Sequence, residues 1–262
     1  MTYANRLASG FYQNSLSYQR SLNAPVGSHR CLAVARTELE TVHSAARAHG
    51  VSVNDAVLAA VTGSLVRHLA DRGEGVEDLV VSIPVSARSA STASELGNQI
   101  GVMAVELPGG GEPGERMEAI GAITRSHRQQ DPGASAALLA PLFRVLAATG
   151  AFRWFTDHQH MVTTFVTNLR GPDSPVSFCG RSVESLLPVN STSGNVRVAF
   201  GVFSYAGELT VTLVADESFG DELAALVQLL EAELEAVGAT SDPGHRRAGA
   251  GPGLPSGRDQ RG

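Results

Sequence analysis

His158 and His160, one residue apart and preceded by Asp157, are the densest grouping of proton- and metal-binding side chains in the chain, an Asp-His-Gln-His run just ahead of a strand. A zinc-type site needs ligands that converge from one face with further ligands elsewhere, and this pair offers neither, so it reads as a solvated loop or a helix end. His43, His49, His68 and His127 lie on helical patterns beside charged residues and read as surface histidines. There is no Gly-x-Ser-x-Gly elbow for a serine nucleophile. The chain contains no lysine, which removes the usual phosphate-binding P-loop. A strand–Gly-x-Gly-x-x-Gly–helix unit is also missing, and Gly109–Gly111 is only a loop. Cys31 and Cys179 stand alone, without metal or disulfide spacing, and read as reduced core or strand residues of a cytoplasmic protein.

A second polar grouping is built into the start of a helix. Ser52 and Asp55 form a capping box, in which each side chain satisfies a backbone donor of the other's residue. Asn54 sits inside that first turn. Behind it Val57, Leu58, Val61, Leu65 and Leu69 share one helical face. Thr37 with Glu40 reads as a similar box for a helix ending at Gly50. Ser218 with Asp221 reads as a third, opening a helix with Leu223, Leu226, Val227, Leu230, Leu234 and Val237 on one stripe and Gly238 as its stop. Two more helices are expected, one from Pro113 carrying Met117, Ile120 and Ile123, and one after Asp131-Pro132-Gly133 carrying Leu138, Leu142 and Leu146.

Strands are expected between these helices. Val196, Val198, Phe200 and Val202 alternate, as do Leu209, Val211 and Leu213 beyond Tyr205-Ala206-Gly207-Glu208, which is a hairpin pattern. His29–Ala35, Leu79–Ala87, Ile100–Leu107, Met161–Thr167 and Ser177–Val189 read as further strands. The expected fold is α/β of the α+β kind, a two-layer sandwich of a mixed, largely antiparallel sheet covered by helices. Residues 1–27 read as an N-terminal arm, 28–239 as the folded domain, and 240–262, rich in Gly, Pro, Ser and Arg, as a disordered tail.

At 262 residues, 43% hydrophobic and with a net charge of -6, the chain has an ordinary globular composition. Scattered arginines argue against nucleic acid as a partner. No run reaches the length of a membrane span, and residues 1–27 lack a secretion signal's apolar stretch.

In order and spacing, several motifs resemble the C-terminal half of bacterial wax ester synthase/diacylglycerol acyltransferases. They are Ser52-Val53-Asn54-Asp55 with its helix, Ile83-Pro84-Val85-Ser86-x-Arg88, Gly97-Asn98-Gln99, Asn168-Leu169-Arg170-Gly171-Pro172, Leu187-Pro188-Val189, and Ser204-Tyr205-x-Gly207-x-Leu209 with Asp216. The likeness runs from about Ser21 to Gly238. Leu169-Arg170 stands where the family more often has Val-Pro.

The resemblance implies one half of a chloramphenicol acetyltransferase-like fold, with acyl-CoA and an alcohol meeting in a tunnel between two halves. It implies acyl-CoA as substrate and no bound cofactor, in triacylglycerol or wax ester synthesis. The family's His-His-x-x-x-Asp-Gly motif, which supplies the general base, does not occur in this sequence. The implied partners are therefore an N-terminal half or a second copy, together with acyl-CoA and a lipid alcohol; contact with a membrane or lipid-droplet surface stays open, and the chain alone is expected to be inactive.

The substrate-channel or structural residues implied are Asn54, Asp55, Gly97, Asn98, Asn168, Gly171 and Pro172, with no catalytic residue and no metal ligand. Two readings compete with a split or truncated enzyme. One is a non-catalytic module that binds acyl chains or a partner protein, and the other is a rebuilt site using His158 or His160 as base.

Overall fold

A computed structural model describes residues 21–86, 100–129, 148–159, 161–192 and 194–241. Its strands are β1 (Arg30–Glu38), β2 (Asp78–Ser86), β3 (Ile100–Pro108), β4 (Thr164–Arg170), the very short β5 (Ser177–Phe178) and β6 (Arg181–Ser182), β7 (Val198–Tyr205) and β8 (Glu208–Asp216). Its helices are α1 (Leu39–Ala48), α2 (Val53–Asp71), α3 (Pro113–Gln129), α4 (Phe152–Asp157) and α5 (Gly220–Ala239). Six strands form one mixed sheet in the order β1-β8-β7-β4-β2-β3. The β7–β4 and β4–β2 pairings are parallel and the other three antiparallel.

The alternation along β7 and β8 sets the layers. Val198, Phe200 and Val202 pack with Leu209, Val211 and Leu213 on the face that meets α2 and α5. Ala206 and Gly207 make the tight turn between these strands, both at positive φ (48° and 88°), as a two-residue hairpin requires. Helix α2 runs through the middle of the helical layer. Every residue from Asp55 to Leu65 is buried, so it is enclosed on all sides rather than amphipathic.

The opposite face of the sheet carries a strap. Tyr205 Oη accepts from Val176 N (2.9 Å) and donates to Val183 O (2.7 Å), and Asn190 Nδ2 donates to Phe200 O (2.9 Å). At Gly201 a Cβ would stand 2.6 Å from Pro188 O, so the strap lies against bare backbone there.

Several sequence expectations are corrected. Thr37 caps no helix: it pairs with Leu209 inside β1, and α1 begins after Glu38 without a side-chain cap. The ladder to β8 continues to Glu38 and outcompetes the local signal. Asp216, not Asp221, engages Ser218, accepting from its N (3.0 Å) and Oγ (2.5 Å) and capping a short 3₁₀ turn (Glu217–Phe219); α5 then starts without a side-chain cap. Gly238 does not stop α5. It is buried within the helix, where a Cβ would come 2.5 Å from Thr41 Cγ2, so it lets α1 approach. Ser177–Val189 forms only the small β5–β6 hairpin and then the strap, because its backbone crosses the sheet instead of joining it.

Within the expected N-terminal arm, Ser21, Leu22 and Asn23 are buried against the domain. The helix expected after Gly133 and the tail from residue 242 lie outside the described residues.

Candidate functional site

The parallel strands β2, β4 and β7 all end at one edge of the sheet, and α2 starts beside it. In open α/β sheets this is where ligands are received, because chain direction changes there and helix N-termini point outward. The residues singled out from the sequence converge on this edge. Asn168 Nδ2, on β4, donates to Asn54 Oδ1, in the first turn of α2, at 3.2 Å. This bond ties the helix start to the strand end across 114 residues of chain. Both asparagines are half-buried, each with further amide hydrogen-bonding capacity.

Asp55 has a different role. Its Oδ2 accepts from Ser52 N (2.9 Å) and Ser52 Oγ (2.6 Å), completing the capping box, and its Oδ1 accepts from Thr124 Oγ1 of α3 (2.7 Å). Buried and with both oxygens engaged, Asp55 is committed to docking α3 against the head of α2.

Beyond Asn168, the chain is pinned to the hairpin tip. Gly171 N donates to Ser204 O (2.9 Å), and Ala206 N donates to Pro172 O (3.0 Å). A Cβ on Gly171 would sit 2.5 Å from the Phe203 ring and from Ser204 O, which requires glycine at this crossing. Leu169 is 52% exposed, and Arg170 pairs with Asp173 at 2.9 Å on the surface. Gly97 and Asn98 lie outside the described residues. The strands on either side of them, ending at Ser86 and beginning at Ile100, nevertheless bring both ends of that stretch to the same edge.

The histidines are engaged elsewhere. His68 is not on the surface as expected: it is 5% exposed, with Nε2 3.0 Å from Glu222 Oε2 and its ring 5.4 Å from that of Phe219. It lies four turns along α2 from Asn54, about 21 Å away. His49 is largely covered and bonds Glu118 Oε1 at 2.8 Å. His158 stacks on Trp154 and bonds its carbonyl (2.8 Å) at the end of α4, while His160 lies outside the described residues. Among the described residues no cluster of three His, Cys, Asp or Glu side chains could hold a metal.

Sequence reasoning missed the strap as a surface. Val176, Phe178, Leu186, Leu187 and Val189 are all exposed on it, Phe178 by 74% and Val189 by 66%, next to exposed Leu169. The signal was the density of apolar residues in 176–189, which a strand assignment absorbed.

A mixed sheet with helices on one face, an asparagine pair at the carboxyl ends of its parallel strands and an apolar strap on the other face fits one half of an acyltransferase-type fold. The chain belongs to the family of the WS/DGAT C-terminal domain, which matches residues 96–237. A probable diacylglycerol O-acyltransferase of Mycobacterium tuberculosis, tgs1, is 30% identical over 220 residues, covering 81% of this chain and 47% of the relative. A second from that organism, tgs2, is 27% identical over 223 residues, covering 81% and 48%. The chain thus spans about half the length of the curated relatives it matches.

Among solved structures, a wax ester synthase/diacylglycerol acyltransferase from Marinobacter aquaeolei VT8 superposes with a TM-score of 0.68 at 21% identity, over 91% of this chain and 56% of that one. The starter condensation domain of rhizomide synthetase superposes with a TM-score of 0.55 at 18% identity, over 92% and 53%. These likenesses show the fold, a shared acyltransferase-like architecture of which this chain supplies one half.

Proposed function

We propose that this chain is the C-terminal half of an acyl-CoA-dependent O-acyltransferase of the wax ester synthase/diacylglycerol acyltransferase type, forming triacylglycerol or wax ester from acyl-CoA and a lipid alcohol. In this reading it furnishes one wall of the substrate channel, and the general base comes from an N-terminal half. Asn54, Asn168, Gly171 and Pro172 form the edge facing that half, and Gly97 and Asn98 are assigned to the same channel from the family resemblance. Asp55 fixes the edge from behind. Acyl-CoA enters as substrate and no cofactor is required. No helix among the described residues is long and apolar enough to cross a membrane.

The observation that carries this reading is the set of exposed apolar side chains Val176, Phe178, Leu186, Leu187 and Val189 between β4 and β7, with Leu169 exposed near the end of β4. Exposed apolar side chains grouped on one surface mark an interface, and a half-enzyme leaves such a face open. The absence of a His-His-x-x-x-Asp-Gly motif from this sequence supports placing the proton acceptor on the other side of the channel.

The test is co-expression with an N-terminal half that carries His-His-x-x-x-Asp-Gly, followed by incubation with labelled acyl-CoA and diacylglycerol or a long-chain alcohol. Ester is expected from the pair and not from this chain alone. Ester made by the isolated chain at the rate of the pair refutes the division of labour.

A further inference from the structure

Three consecutive residues near the N-terminal side of the domain, Ser21, Leu22 and Asn23, are 4%, 0% and 4% exposed. They belong to no element of the main sheet and are followed by a stretch, 24–29, that is exposed or half-exposed. Several of their polar groups are met by residues far away in sequence. Ser21 Oγ donates to Glu74 Oε1 (2.5 Å) and accepts from Arg72 Nε (2.6 Å), while Ser21 N donates to Glu74 Oε2 (3.3 Å). Arg197 Nη1 donates to Ser21 O (2.7 Å) and Arg197 N to Leu22 O (2.9 Å). Asn23 bridges to Val196 as a one-residue strand and donates through Nδ2 to Val162 O (3.1 Å).

Arg72 and Arg197, two of the groups that receive this segment, are also held in place by contacts that do not involve it. Arg197 lies 5.1 Å over the Phe219 ring and donates to Ser218 Oγ at 3.1 Å. Arg72 pairs with Glu222 at 3.1 Å, and Glu222 is held in turn by His68 at 3.0 Å. A receiving surface fixed independently of its occupant is how a peptide site is built: the cost of ordering it is met within the domain, leaving the peptide's contacts to set affinity.

We propose that Ser21–Asn23 is a docking peptide, and that Arg72, Glu74, Val162, Val196 and Arg197 form a dedicated receptor that holds this segment without the covalent link through residues 24–29. The mode is short β-addition at the head of β7, with one fully buried leucine as anchor and charged groups on the backbone and serine around it. The receptor lies at the C-terminal end of α2, about 27 Å along that helix from Asn54. The docked segment therefore lies at the far end of the domain from the asparagine edge. The latch rests on its own contacts and not on the proposed function.

The experiment introduces a protease recognition sequence after Pro25 in the full chain, cuts the folded protein, and follows residues 1–25 by size-exclusion chromatography and mass spectrometry. The fragment is expected to co-elute with the remainder and to exchange with excess synthetic peptide spanning residues 15–25. In the chain carrying Leu22→Ala, cut in the same way, dissociation is expected to be at least about thirtyfold more favourable. Separation of the fragment while the remainder keeps its circular dichroism spectrum overturns the proposal. Loss of the fold on cutting overturns it too, since the segment would then be core rather than ligand. Retention that Leu22→Ala leaves unchanged does the same. None of these readouts measures acyl transfer, so failure here and failure of the functional reading are separate results.

Discussion

Gly63→Ala exposes the constraint that holds the helical layer together. Gly63 lies in the buried middle of α2, where Arg116 of α3 and Glu233 of α5, each 4% exposed, meet in an ion pair. A Cβ at this position would stand 2.5 Å from both Arg116 Nη2 and Glu233 Oε2. The pair has little room to yield. Arg116 also donates to Ala59 O (2.9 Å), Gly109 O (3.2 Å) and Gly111 O (3.0 Å), and Glu233 Oε1 is held by Arg67 at 3.1 Å. Helix propensity alone favours alanine by about 1 kcal/mol. Against it stand overpacking, about 1–3 kcal/mol, and partial opening of a buried pair whose outright disruption costs about 3–5 kcal/mol. The net expectation is a loss of about 2–4 kcal/mol, a fall of about 1–2 M in the urea midpoint followed by far-ultraviolet circular dichroism. In a Glu233→Ala background the same substitution should cost distinctly less, because one of the two clashing atoms is gone. If Gly63→Ala is as stable as the parent, or stabilised as propensity alone predicts, the close three-helix crossing is wrong.

Asp216 is buried, which opposes its charge, but hydrogen bonds from Ser218 Oγ and N and from Gly27 N, with Arg30 nearby, hold its carboxyl below the ordinary aspartate value. Its contribution is therefore complete above about pH 4 and is lost as pH falls through the lower folded-state value; the melting-temperature gap between the parent and Asp216→Asn should be wide at pH 7 and shrink progressively as pH falls below about 4. The Asn54–Asn168 bond should show a coupling of about 0.5–1.5 kcal/mol in a double-mutant cycle of alanine variants measured by urea unfolding, and independent, additive effects would remove it as a link between α2 and β4. Phe178→Ser with Val189→Ser should reduce self-association in sedimentation velocity while changing stability by no more than about 0.5 kcal/mol, and unchanged association would show that the strap is not the sticky surface.

The parts of the fold legible in the sequence were those set by neighbours a few residues apart. Period-two alternation located β7 and β8, 3.6-residue spacing located α2 and α5, and Ser52 with Asp55 marked a helix start that the structure has. The same local rules failed where a distant segment competed. Thr37 was drawn into the ladder opposite Leu209, and Ser218 was taken by Asp216. The strap 183–192 resembles a strand in composition yet has none of a strand's partners in the main sheet, because its backbone lies over the sheet instead of within it. His68 looked like a surface histidine because its charged neighbours in sequence hid that Glu222, 154 residues on, covers it.

For the site, Asn54 and Asn168 were singled out, and the chain assigned to the acyltransferase family, through the resemblance of short contiguous motifs to that family, and not from residue chemistry alone. That the two asparagines meet, that Asp55 turns inward to Thr124, that the parallel strand β4 lies between β2 and β7, and that Arg116 finds Glu233 across 117 residues were decided only by tertiary packing. Periodicity and capping arise from a few bonds of backbone geometry and are written locally. The choice of partner between remote segments depends on which arrangement buries the most apolar surface with every polar group satisfied, and that is a property of the whole chain at once.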